Sequence, residues 1–218
     1  MIKELSIGYS PCPNDTYIFY AMVHGLIPLS GFSLAPPVLD DVETLNQWAI
    51  QARLDVTKLS FHALGHVLDK YIMLSSGAAL GRGCGPLLVS RSNESPDLSQ
   101  ATVAIPGRYT TAALLLRLFA PEAKNHKVMR FVEIMPAIAG GKVDAGVIIH
   151  ESRFTYQEHG LAAVQDLGEW WESETGLPIP LGCIAVRKDQ STISLKTDIE
   201  TVLNNSVQYA FTTALSTK

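Results

Sequence analysis

The chain has 218 residues, long for one simple domain and comfortable for two lobes. It is 47% hydrophobic and only 17% charged, so it can bury a large core. Its net charge of −4, with Lys and Arg scattered and no basic stripe, excludes the electrostatic footprint of a nucleic-acid-binding protein.

Leu5 to Tyr9 reads as a buried strand. Asn14 or Asp15 then caps a helix through Tyr17–Val23, and Gly25 stops it. Phe32 to Val38 is a second strand candidate, weakened by Pro36-Pro37. Val42 to Ala52 has helical spacing, Asp55 to Leu59 returns as a strand, and Phe61 to Leu68 as a helix. This β-α-β-α-β-α order predicts a parallel sheet covered by helices. The pattern restarts with strand Ala101–Ile105 and the apolar helix Thr111–Phe119. A strand over Val128–Val132, a short helix over Ile134–Ala139 ended by Gly140-Gly141, and a strand over Val143–Ile149 follow. The extended segments Gly77–Ser90 and Leu181–Val186 are the expected crossings of a two-strand hinge. A last helix from about Asp198 to Leu215 returns to the first lobe. The expected lobes are 1–88 plus 185–218, and 89–184, closing over an interlobe cleft.

Three segments share one design, in which a hydrophobic strand ends, a polar cluster follows and a helix begins. They are Tyr9–Thr16, Asp55–Ser60 and Ile105–Ala112. Each would aim the free amides of a helix start at an anion. A fourth strand ends on His150, whose imidazole can accept a proton near neutral pH. The expected partner is therefore a small carboxylate substrate. Thr110, Thr111 and Ala112 sit at a helix start suited to a carboxylate, though ordinary capping by a threonine explains the same residues. Ser60 offers a hydroxyl, while Lys58 reads more simply as a solvated lysine. Asp15 reads as a helix cap and Asn14 as a cleft contact.

Other features carry less. His62 and His66 have the spacing of a metal pair, but no third ligand stands out, and they read as surface or packing residues. Gly81–Gly85 lacks both phosphate-loop and dinucleotide spacing and reads as a flexible connection. Arg153 would orient Glu151, close the cleft by a salt bridge or simply be exposed, and Trp170-Trp171 would shield a pocket or anchor a lobe. Cys12, Cys84 and Cys183 show neither disulfide nor metal spacing. Nothing in the sequence demands a metal, flavin or nicotinamide. Lys3 and Glu4 interrupt any signal-peptide core, and no run approaches a membrane helix. A cytoplasmic setting without membrane insertion is expected.

Five segments resemble one known family in sequence and order: Ser10–Thr16, Lys58-Leu59-Ser60, Gly81–Pro86, Pro106–Ala112 and Ile148–Tyr156. The chain resembles the 1,4-dihydroxy-6-naphthoate synthase family of the futalosine route to menaquinone. That resemblance implies an α/β fold of the type II periplasmic-binding-protein kind in a cytoplasmic enzyme. It implies cleavage of cyclic dehypoxanthinyl futalosine to 1,4-dihydroxy-6-naphthoate and dihydroxyacetone. It implies substrate contacts at Lys58, Leu59, Ser60, Thr111 and Ala112, and a catalytic proton acceptor at His150. Members of the family continue for some tens of residues past the position of Lys218. A non-catalytic organic-anion-binding protein and a chorismate dehydratase of the same pathway are the alternatives; the run Ile148–Glu151 and the motif Ser10–Thr16 favour the naphthoate enzyme.

Overall fold

The computed structural model describes residues 2–91 and 96–216. The chain divides into two α/β units, Met1–Ala79 with Gly182–Lys218, and Leu80–Leu181. These crossings differ from the expected 88/89 and 184/185. Strand Leu87–Ser90 belongs to the second unit because it pairs with Ala145–Ile148 and Ala162–Asp166. Gly182 already belongs to the first, because it pairs with Ser60.

In the first unit the strands run in the order Val38–Leu39, Ile7–Tyr9, Val56–Ser60, Ile179–Arg187, Tyr71–Met73. The first three are parallel, as β-α-β alternation predicts. Ile179–Arg187 lies antiparallel to both neighbours, so the sheet is mixed rather than wholly parallel. The expected strand Leu5–Tyr9 is two strands broken at Ser6, whose amide and hydroxyl both donate to Asp55. Lys3–Leu5 pairs instead with Phe32–Leu34 in a separate parallel ribbon. Pro36 and Pro37 end that second strand early because proline cannot donate to a ladder.

The core of this unit gathers Leu5, Ile7, Phe19, Val56, Ile184 and Leu203. Burying each such side chain stabilises the fold by about 1.5–3 kcal/mol before entropy is counted. Helix Pro13–Val23 packs on helix Lys196–Ser216. At their contact the buried Ser206 hydroxyl accepts from the Met22 amide at 3.2 Å and donates to the Ile18 carbonyl at 2.7 Å.

In the second unit the order is His126–Val128, Val103–Ile105, Ala145–Ile148, Leu87–Ser90, Ala162–Asp166. The first three strands are parallel, and Leu87–Ser90 is antiparallel to both neighbours. Alternation along the strands fills two faces. Leu88, Val103 and Val147 face one core with helix Thr111–Phe119; Leu87, Val89 and Ala104 face the other with helix Phe131–Ala139. The expected strand Val128–Val132 is not formed. The strand is His126–Val128, and Phe131, Ile134, Met135 and Ile138 already follow the helical period. Gly146 is required here: a Cβ would lie 2.6 Å from Ile134 Cγ2. No described helix is long and apolar enough to cross a membrane.

Candidate functional site

In each unit the polar clusters lie at the carboxyl ends of adjacent parallel strands. In the first, Ile7 and Gly8 pair with Val56 and Thr57, so Ser10 and the Lys58–Ser60 segment emerge at the same sheet edge. In the second, Val103 and Ala104 pair with Ala145 and Gly146, so the Pro106–Ala112 turn and His150 share an edge. In open α/β sheets, ligands bind outside such strand ends.

Lys58 is buried, 6% exposed, and is not the solvated lysine its type predicts. Its ammonium makes an ion pair with Asp15, itself 1% exposed. Asp15 also accepts from the Ser10 amide at 3.1 Å and from the Ser10 hydroxyl at 2.8 Å. Asp15 is therefore the counter-ion of Lys58 rather than a helix cap. The cap position is Cys12, which makes no side-chain cap bond. Room for the lysine comes from Gly182 on the facing strand, where a Cβ would stand 2.7 Å from Lys58 Cε. Burial and then the Asp15 charge both raise the pKa of the nearby Tyr9 phenol. Burial pushes the thiol of the fully buried Cys183 up to about 12, with Lys58 opposing.

Ser60 is buried and held from two sides by Asn46. The Ser60 amide donates to Asn46 Oδ1 at 2.8 Å, and Asn46 Nδ2 donates to the Ser60 hydroxyl at 3.1 Å. Leu59 is fully buried, so its side chain belongs to the core. Asn14 is exposed on the first turn of its helix. Asn46 was missed from sequence. Its signal was a polar residue beside Leu45 and Ala49 on the buried stripe of helix Val42–Ile50.

Thr110 caps helix Thr111–Phe119: its hydroxyl accepts from the Ala113 amide at 3.2 Å and donates to the Gly107 carbonyl at 2.9 Å. The ordinary capping role is thus realised. The Thr111 and Ala112 amides sit in the first turn, where helix geometry supplies no acceptor. The Thr111 hydroxyl donates to the Leu181 carbonyl at 3.0 Å and ties the helix start to the crossing segment. Both threonines and Ala112 are buried.

His150 is exposed and stands in the left-handed region, with φ of 56°. A non-glycine residue there stores backbone strain, and such strain collects at functional sites. Its ring meets Phe131 edge-on, with centroids 5.4 Å apart. Arg153 does not orient Glu151. It pairs with Asp166 at 2.6 Å and donates to the Gly85 carbonyl at 2.9 Å. The pair lines an open groove of about 450 Å³ with Tyr156, Gln165 and Glu169. Gly85 packs backbone to backbone on Gly168, where a Cβ on Gly85 would lie 2.7 Å from the Gly168 Cα. The Gly83 amide donates to Glu172 at 2.6 Å, so the glycine stretch is fastened at two points. Trp170 stacks edge-on with Phe119 and packs with Trp171 against the second unit's core, the anchoring reading.

A family model described as menaquinone biosynthesis matches residues 5–215. A 1,4-dihydroxy-6-naphthoate synthase of Thermus thermophilus is 50% identical over 213 residues, 96% of this chain and 75% of that protein. One of Streptomyces coelicolor is 49% identical over 193 residues, 84% of this chain and 66% of that protein. Among solved structures, protein AF1704 from Archaeoglobus fulgidus is 38% identical with a TM-score of 0.89, covering 97% of this chain and 78% of the other. The periplasmic aliphatic sulphonate binding protein SsuA from Escherichia coli matches at 12% identity with a TM-score of 0.65, covering 99% and 76%. The fold is thus that of the periplasmic binding proteins.

Proposed function

We infer, from the fact that this chain belongs to the menaquinone biosynthesis family, that it is a 1,4-dihydroxy-6-naphthoate synthase. Its substrate is cyclic dehypoxanthinyl futalosine, and its products are 1,4-dihydroxy-6-naphthoate and dihydroxyacetone. The names of two relatives near 50% identity support this reading. The observation that carries the chemistry is His150, held at a φ of 56° beyond the end of its strand.

In this reading the enzyme is a carbon–carbon lyase and His150 is its general base. The imidazole takes a hydroxyl proton from the sugar-derived part of the substrate. The oxygen lone pair becomes the new carbonyl, and the carbon–carbon bond breaks in a retro-aldol sense. Its electrons go to the bicyclic fragment, which gains aromaticity. One molecule becomes two, so the step calls for no oxidant or reductant. The first-turn amides of Thr111 and Ala112 suit the carboxylate. Thr110 holds that turn. In the first unit, taken by itself, Lys58, Leu59, Ser60 and Asn14 are the residues of the strand-end cluster in this reading. A biosynthetic role of this kind fits a cytoplasmic setting.

The test is His150→Asn. Turnover should fall by roughly 10²–10⁴-fold, the usual contribution of a general base. Product affinity, measured by fluorescence titration, should hold. Turnover at the normal rate would remove His150 from the mechanism. A wild-type protein that binds the naphthoate but never forms it would be an organic-anion carrier, the role its fold serves in SsuA.

A further inference from the structure

We propose that His62 and His66 form a two-imidazole site for a divalent first-row transition ion, with zinc(II) the reference ligand. The site is independent of the reaction above and goes beyond the sequence expectation that these histidines are surface or packing residues. They span the five-residue helix Phe61–Gly65, His62 as its second residue and His66 as its C-cap. Four residues apart, they share a face of one turn.

The geometry is that of a chelate. The two Nε2 atoms stand 3.3 Å apart while the ring centroids are 5.1 Å apart. The rings therefore converge on their nitrogens. Two nitrogen ligands each 2.0–2.1 Å from one tetrahedral zinc are separated by roughly 3.3–3.4 Å, which is the spacing observed. Imidazole is a preferred ligand for zinc, copper and nickel. The contact is solvent-accessible, and the space a Cβ would enter at the intervening Gly65 is open to 4 Å. Water would complete the coordination shell of such an ion. Among the described residues no group of three or more His, Cys, Asp or Glu is placed to hold a metal. The site is thus an exchangeable one with two protein ligands rather than the seat of a resident cofactor. Binding needs a lone pair on each Nε2, so each neutral ring would carry its proton on Nδ1. Clamping positions 62 and 66 would stiffen the helix that begins directly after Ser60.

The experiment is calorimetric titration of the metal-free full chain with zinc chloride. One saturable site per chain is expected. His62→Gln and His66→Gln should each weaken it at least ~10-fold, while His159→Gln, an exposed histidine elsewhere, should leave it unchanged. A second measurement needs no variant: zinc should shield both rings in the wild type from diethylpyrocarbonate, as read by peptide mass spectrometry. Equal zinc affinity in the two variants and the wild type would overturn the proposal. So would undiminished modification of both rings at saturating zinc.

Discussion

Lys58 and Asp15 show how far a residue type can mislead. A lysine in a polar strand end reads as solvated, because lysine is seldom buried. Its burial depends on a carboxylate 43 positions earlier and a glycine arriving from the far end of the sequence. Neither is visible locally. The pair also fixes what substitution should do. Asp15→Ala leaves an ammonium buried without its counter-ion, and urea unfolding should show a loss of about 3–5 kcal/mol. Replacing both partners together, as Asp15→Leu with Lys58→Met, should cost less than the single change. A second buried carboxylate, Asp55, pairs with Arg187 at the end of strand Ile179–Arg187 at 2.7 Å and accepts from the Thr192 hydroxyl beyond it at 3.1 Å. Burial alone would raise its pKa. The Ser6 amide and hydroxyl, then Arg187 and Lys3, outweigh burial and hold it below the ordinary 3.8. A depressed carboxylate contributes stability that is complete above its unfolded pKa and is lost as pH falls through the lower folded value. Unfolding free energy should therefore fall as pH drops below 3.8, and the slope should be shallower in Asp55→Asn.

Elements were legible where cap and period agreed. Thr111–Phe119 has a threonine cap and an apolar run, and it forms over the range read from sequence. The cap can be weighed: Thr110→Ala should cost about 1 kcal/mol by thermal or urea unfolding, and Thr110→Ser far less. The last helix, expected from about Asp198 to Leu215, spans Lys196–Ser216. Boundaries failed where two periods overlap. Apart from Arg130, Val128 to Val132 is apolar and looks like strand, yet Phe131-Val132 open a helix that tolerates Pro136 within it. Strand Ala162–Asp166 and helix Leu167–Thr175 carried no strong pattern. Their order comes from pairing with Leu87–Ser90 and from the Asp166 cap, which accepts from Gly168 at 2.8 Å.

For the whole molecule, the α/β class followed from alternation of strands and helices, but strand partners did not. Ile179–Arg187 enters the first unit's sheet between strands more than a hundred positions earlier and turns a parallel sheet into a mixed one. Chain order alone cannot show such pairing. The polar clusters were legible as strand-end motifs because their chemistry is local: a turn, a hydroxyl, a helix start. The most direct measurement is incubation of the purified chain with cyclic dehypoxanthinyl futalosine, following naphthoate absorbance and dihydroxyacetone together. Equal amounts of the two products, formed catalytically, are expected. Unchanged substrate under conditions where the chain is folded and binds the naphthoate would contradict the assignment.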